Sequence, residues 1–202
     1  MLKKNVVLSW FLFLAWNVQS QEQVQLTIKP SIGIDLSDSH MGSYANGSRN
    51  FANTYSLKVN AVKNWYGLSA FYTIYNNSYH SKEMLDAKIP EISSGGIGGI
   101  NALIVPVQFK RFELAIGIGV LYGYMNKLDA YKYIVYLDGH ISNVEYNYLE
   151  SRGFGFNWEI NVAFPITSKF AIEFDFCAND FTKGSKMTTF LIADIGCRFL
   201  LN

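Results

Sequence analysis

Residues 112–125 read FELAIGIGVLYGYM, a stretch that alternates without a break. Phe112, Leu114, Ile116, Ile118, Val120, Tyr122 and Tyr124 occupy the even positions. Glu113, Ala115, Gly117, Gly119, Leu121, Gly123 and Met125 occupy the odd ones. A period of two predicts a strand, because successive side chains point to opposite faces. The run is longer than the usual soluble strand of about 5–6 residues. It is long enough to cross a bilayer at a tilt, which takes roughly 9–11 residues.

The same pattern recurs along the chain and predicts eight strands. The first, Val24 to Ser37, sets Leu26, Ile28, Ile32, Ile34 and Leu36 against Lys29, Ser31, Gly33 and Asp35. The second runs from Phe51 to Ala61. A two-residue turn at Lys63-Asn64 leads to the third, Trp65 to Tyr75. The polar segment Asn76 to Ser94 reads as a long loop. The fourth strand, about Ile97 to Phe109, turns at Lys110-Arg111 and places Phe109 beside Phe112. In that register Leu103, Val105 and Val107 point outward with Phe112, and Pro106 points inward. Proline lacks the ladder donor, so a bulge or weak pairing is expected there.

Beyond the fifth strand, the sixth is Gly153 to Phe164. The seventh runs from Phe170 to Cys177, and the eighth from Met187 to Leu201. The connections alternate long and short. Outer-membrane barrels do this, with short periplasmic turns and long outer loops. The expected fold is therefore all-β: an eight-stranded antiparallel transmembrane β-barrel, an up-and-down meander with both termini periplasmic. Aromatics fall where two interfacial girdles belong. Trp65, Tyr66, Phe109, Phe112, Phe164, Phe170 and Phe199 lie at one end, and Phe51, Tyr72, Tyr122, Tyr124, Phe154 and Phe176 at the other. A soluble barrel would turn the polar, glycine-bearing face outward, where glycine weakens a strand without gain.

Composition agrees. Charged residues are 16% of the 202, against roughly 25% in soluble proteins. A net charge of +1 gives no reason to expect nucleic acid as a partner. Residues 1–20 read as a signal peptide: Lys3 and Lys4, an apolar run from Val6 to Trp16, then small Val18 and Ser20 ahead of a mature chain from Gln21. Cleavage removes 2 of the 17 basic residues, leaving 15 against 16 acidic ones. The barrel domain is then 21–202.

Lys29, Asp35, Lys58, Glu113, Glu159, Glu173, Asp175, Asp194 and Arg198 fall on the inward face, where buried charges must pair. Eight strands leave an interior that side chains fill. The interval 126–152 contains Asp138-Gly139 between two strand-like runs, a hairpin signal. A two-residue turn there sets Lys132 opposite Glu145 and Tyr131 opposite Tyr146, and predicts a ribbon protruding from the membrane. That register pairs even with odd residues, whereas both membrane strands carry their apolar faces at even positions. A one-residue bulge between Glu150 and Gly153 is expected. Cys177 should face the lumen and Cys197 lipid, at opposite heights, which disfavours a disulfide.

His40, His80 and His140 fall in predicted loops, with serines and carboxylates nearby in sequence. Nothing in the sequence fixes their convergence. No catalytic, cofactor-binding or metal site is assigned, and no cofactor is expected.

The whole mature chain resembles the small eight-stranded outer-membrane proteins of the OmpX and OmpA-barrel type. The run Val105-Pro106-Val107-Gln108-Phe109-Lys110-Arg111-Phe112, with Gly117-Ile118-Gly119 and Tyr122-Gly123-Tyr124, is similar to the "porin family" barrels of Bacteroidota, including PorT-like proteins. Ile195, Cys197, Phe199 and Leu201 resemble the alternating barrel-assembly signal, though the chain ends in Asn202 rather than an aromatic. His140-Ile141-Ser142-Asn143 resembles the HxSN core of PagL-type lipid A deacylases. It departs from them in having two further strands after it and Glu150 too close.

These resemblances imply a non-enzymatic outer-membrane protein with a structural or surface-interaction role. Its expected partners are outer-membrane lipid and lipopolysaccharide, and a surface or envelope protein bound through the loops. The alternatives are a hydrolase acting on lipid A or phospholipid, and a PorT-like component of a secretion machinery.

Overall fold

Alternation governs the architecture. The structure, a computed structural model, describes residues 24–36, 52–83, 87–136, 141–183 and 186–201. Residues 1–20, expected to be a signal peptide, lie outside these ranges. Eight strands follow in chain order: β1 (Gln25–Asp35), β2 (Ala52–Lys63), β3 (Tyr66–Glu83), β4 (Ala87–Phe109), β5 (Phe112–Val135), β6 (Ile141–Pro165), β7 (Phe170–Lys183) and β8 (Lys186–Leu200). Each pairs antiparallel with its neighbours, and β8 returns to β1, closing a barrel. Closure gives every strand two partners and removes the sheet edge.

The even-numbered apolar residues of β5 and β6 face outward. Ile118, Phe154 and Phe156 are 69%, 77% and 71% exposed. The charged and small residues between them face in. The exterior aromatics cluster at both ends of the barrel. At the end carrying the three short turns, hereafter the turn end, Phe170 packs on Phe199 and Phe112 on Phe164. Toward the other, hairpin end, Tyr122 meets Phe154 edge-on at 5.1 Å.

Four expectations need correction. The β2–β3 turn is Asn64-Trp65, not Lys63-Asn64, with Lys63 opposite Tyr66. Asn64 has φ 58°, and asparagine tolerates that left-handed conformation better than lysine does. The register moves by an even number of residues, so the faces of both strands are preserved.

The bulge at Pro106 is present, but its consequence is larger than expected. The β4–β5 register slips between Ile104/Ile116 and Val107/Leu114. The extra residue reverses the phase of β4. Leu103 and Val105 therefore point into the lumen, while Ile100 and Ile104 point out.

Asn76 to Ser94 is not a long loop. It continues the β3–β4 hairpin as far as Glu83 opposite Ala87. Alternation is absent there because a ribbon clear of the membrane meets no apolar solvent to select one face.

The β5–β6 ribbon does protrude, and Lys132 does pair with Glu145, at 3.0 Å. Tyr146, however, stands opposite Ala130 rather than Tyr131. The register irregularities flank Lys132, and none lies between Glu150 and Gly153. Asn143, at φ 54°, sits on the opposite strand at the same level. Only near the tip is the ribbon free to kink without exposing a charged face to the barrel's exterior. Asp138 and Gly139 lie outside the described residues.

Candidate functional site

The lumen is built in three layers. From mid-depth toward the turn end, side chains from seven strands form one ionic network. Lys29 of β1 contacts Asp175, lies 3.3 Å from Glu173 on β7, and 3.7 Å from Asp194 on β8. Lys58 of β2 contacts Glu159 and donates to Asp175 at 2.7 Å and to Asn161 at 3.3 Å. Asn101 of β4 donates to Glu159 at 2.9 Å. Nearer the turn end, Arg198 donates to Glu113 at 3.1 Å and lies 3.2 Å from Glu173. Lys29, Lys58, Glu159, Glu173 and Asp175 are all buried. A buried ion is tolerated only when paired and hydrogen-bonded, and each cation here meets at least two carboxylates.

Glycine makes the room. A Cβ on Gly117 would come within 2.7 Å of Glu159 Cγ and 2.8 Å of Leu103 Cδ2. On Gly99 it would meet the ring of Phe71 at 2.9 Å.

Toward the hairpin end, Tyr75, Ile97, Leu121, Phe190 and Ile192 form an apolar plug. Tyr75 and Phe190 lie 5.0 Å apart, ring centre to ring centre. Phe71, Met125 and Cys177 pack against it.

Toward the turn end, the lumen opens into a cavity of about 480 Å³. Its polar lining includes Thr27, Asn60, Glu113, Asn161, Glu173 and Arg198, and its apolar lining includes Leu103, Val105 and Ala115. The interior is thus open at one end, ionic in the middle and apolar at the other. This is a filled core rather than a through-channel.

All nine inward charges predicted from alternation face the lumen, and eight join the network directly. Asp35 is buried in the lumen but lies beyond it, toward the hairpin end. Sequence reasoning missed Asn101, Leu103 and Val105 as interior residues, because the reversed phase of β4 hid them. Pro106 was the available signal. Cys177 faces inward, 4.0 Å from Glu159, and Cys197 faces out beside Ile172; both thiols are free.

His40 and His140 lie outside the described residues. The backbone of His80 sits in β3 opposite Pro90. Among the described residues, no three His, Cys, Asp or Glu side chains are placed to hold a metal ion.

No protein-family model matches this chain, and no curated protein matches it by sequence. Solved structures do share its fold. OprG of Pseudomonas aeruginosa superposes with a TM-score of 0.59 at 12% identity, over 92% of this chain and 99% of that one. A major outer membrane protein of Thermus thermophilus gives 0.57 at 9% identity, over 89% and 100%. The N-terminal β-barrel domain of Pseudomonas aeruginosa OprF gives 0.55 at 11% identity, over 89% and 100%. Identities this low establish fold alone: this chain has the closed eight-stranded architecture of the small outer-membrane barrels.

Proposed function

We propose that the chain is an integral outer-membrane protein without enzymatic activity, whose barrel presents the β5–β6 ribbon to a partner at the cell surface. The observation that carries this reading is the reach of that ribbon. The β5–β6 ladder continues to Val135 opposite Ile141, whereas β6 meets β7 only from Gly155 onward. The upper ribbon therefore stands clear of β7, with Ile134, Tyr136 and Tyr148 exposed. Exposed tyrosines of this kind are common anchors of protein interfaces.

The apolar exterior supports membrane insertion, since a closed barrel satisfies its backbone within lipid. The first described strand begins and the last ends at the turn end, at Gln25 and Leu200, which supports a periplasmic orientation for that end and an outward one for the ribbon. Outer-membrane lipid and lipopolysaccharide then surround the barrel, and a protein partner meets the ribbon. The resemblance of Val105 to Phe112 to PorT-like proteins favours an envelope machine as the source of that partner, a reading that stoichiometric co-purification tests.

Orientation is tested by labelling intact cells with a membrane-impermeant maleimide, in a background lacking Cys177 and Cys197. Tyr148→Cys should react on intact cells, and Ser168→Cys only after permeabilisation. The reverse pattern would place the ribbon in the periplasm and end the surface role. Lipid A mass spectra should not change in His140→Ala. A deacylated species that disappears in that variant would establish the hydrolase instead.

A further inference from the structure

We infer that the turn end of the barrel carries a basic collar that binds the headgroups of anionic phospholipids in the adjoining leaflet. The inference rests on the membrane insertion proposed above and adds to it a preference among lipids.

Charge is distributed unevenly between the two ends. Every short turn carries a base: Lys63 at β2–β3, Lys110 and Arg111 at β4–β5, and Lys169 at β6–β7. All four are exposed. The acidic side chains toward this end, Glu113 and Glu173, are buried in the lumen and already meet Arg198. Among the described residues, no carboxylate pairs with any of the four bases. A single acid upstream of β1, Glu22, leaves the excess in place. The ribbon at the hairpin end differs. There the exposed acids Glu145 and Glu150 stand 3.0 Å from Lys132 and 3.6 Å from Arg152.

The height of these bases is set by their neighbours in the chain. Lys63 comes just before Trp65 and Tyr66, Lys110 follows Phe109, Arg111 precedes Phe112, and Lys169 precedes Phe170. Trp65, Tyr66 and Phe109 are exposed on the barrel's exterior. Aromatic belts of this kind lie at the membrane–water interface. Lysine and arginine there lay their stems along apolar surface and hold the charge at the headgroups. Clustered bases at that level attract anionic lipid.

Their spread around the barrel favours lipid over a soluble anion. The three turns are separated by two strands each, so the bases stand on several sides of the cylinder. Lys110 and Lys169 border the mouth of the turn-end cavity, and Lys63 and Arg111 do not. An anion held in the mouth would meet only the first pair. Lipid surrounds the barrel and meets all four.

The test uses the full chain folded into phosphatidylcholine vesicles that contain a trace of spin-labelled phosphatidylglycerol or spin-labelled phosphatidylcholine. The motionally restricted fraction in the electron paramagnetic resonance spectrum gives the relative association of the two lipids. Phosphatidylglycerol should be favoured about threefold at low salt, the factor expected of one exposed ion pair. The preference should vanish at about 1 M NaCl, where the screening length is about 3 Å. Lys63→Gln with Arg111→Gln, and Lys110→Gln with Lys169→Gln, should each reduce it, and the quadruple variant should abolish it. Inorganic phosphate at about 10 mM, added at constant ionic strength, should leave it unchanged. Heat-dependent gel mobility reports whether each variant is folded in the vesicles. A chain that never inserts would end the membrane reading and the collar with it. In a folded barrel, equal association of the two lipids, or a preference that survives in the quadruple variant, would overturn the collar alone. A preference lost only with the Lys110 and Lys169 pair, or displaced by phosphate, would also overturn it and assign those bases to a soluble anion.

Discussion

Lys29 is completely buried, and that is tolerable only because Glu173, Asp175 and Asp194 surround its ammonium. Removing one partner of a buried ion cluster leaves uncompensated charge, at a cost of about 3–5 kcal/mol. Lys29→Met should lower stability by that amount in urea unfolding from lipid vesicles. Adding Asp194→Asn should recover part of the loss, because Asp194 has no other cation within salt-bridge distance among the described residues. A double variant as unstable as the sum of the singles would mean that the two groups do not interact.

Glycines divide by face in the same way. A Cβ at Gly119 would lie 2.6 Å from Asn101 Cα and closer still to the Ile100 carbonyl, neither of which can swing aside. Gly119→Ala should cost at least about 2 kcal/mol. At Gly98, on the outer face, the nearest atom would be Tyr72 Cδ2 at 3.2 Å, at the edge of a ring that can tilt away. Gly98→Ala should change stability by less than about 1 kcal/mol in the same assay.

The inward direction of the charges was legible in the sequence, because alternation fixes it strand by strand. Their pairing was not. Lys29 and Asp175 are 146 positions apart and Lys58 and Glu159 are 101, and only closure of the barrel brings them together.

Individual elements show where alternation stops being informative. On β5 and β6 it assigns every membrane-embedded side chain correctly, because lipid on one side and a charged interior on the other select opposite faces. On β4 one extra residue at the bulge reverses the assignment. Pro106 announced the bulge, yet a phase carried back from Phe109 across it puts Leu103 and Val105 on the wrong face. Spin labels make this distinction directly. A label at Ile104→Cys should be relaxed by oxygen, which partitions into the membrane. One at Val105→Cys should be relaxed by a water-soluble nickel chelate. The opposite result would remove the bulge.

Above the membrane the selecting solvent is gone, and the extensions of β3 and β4 carry no alternation for that reason. Their backbone ladder runs on to Glu83 opposite Ala87. The β5–β6 ribbon was recognisable through its turn residues and the Lys132–Glu145 pair. The site of its kink was not, because register slips cost little where both faces are wet.

At the scale of the whole molecule, the exterior band of Ile118, Phe154, Phe156 and their neighbours is acceptable only in contact with lipid or detergent. The interior network in turn persists only while the barrel is closed. Both properties belong to one object, a transmembrane barrel sealed at the hairpin end of its lumen by Tyr75, Ile97, Leu121, Phe190 and Ile192. The most direct test is gel mobility of the detergent-folded protein, unboiled against boiled. A closed barrel of this kind should resist SDS until heated and run as two distinct bands. A protein that remains soluble without detergent and gives a single band under both conditions would contradict the outward assignment of every apolar face.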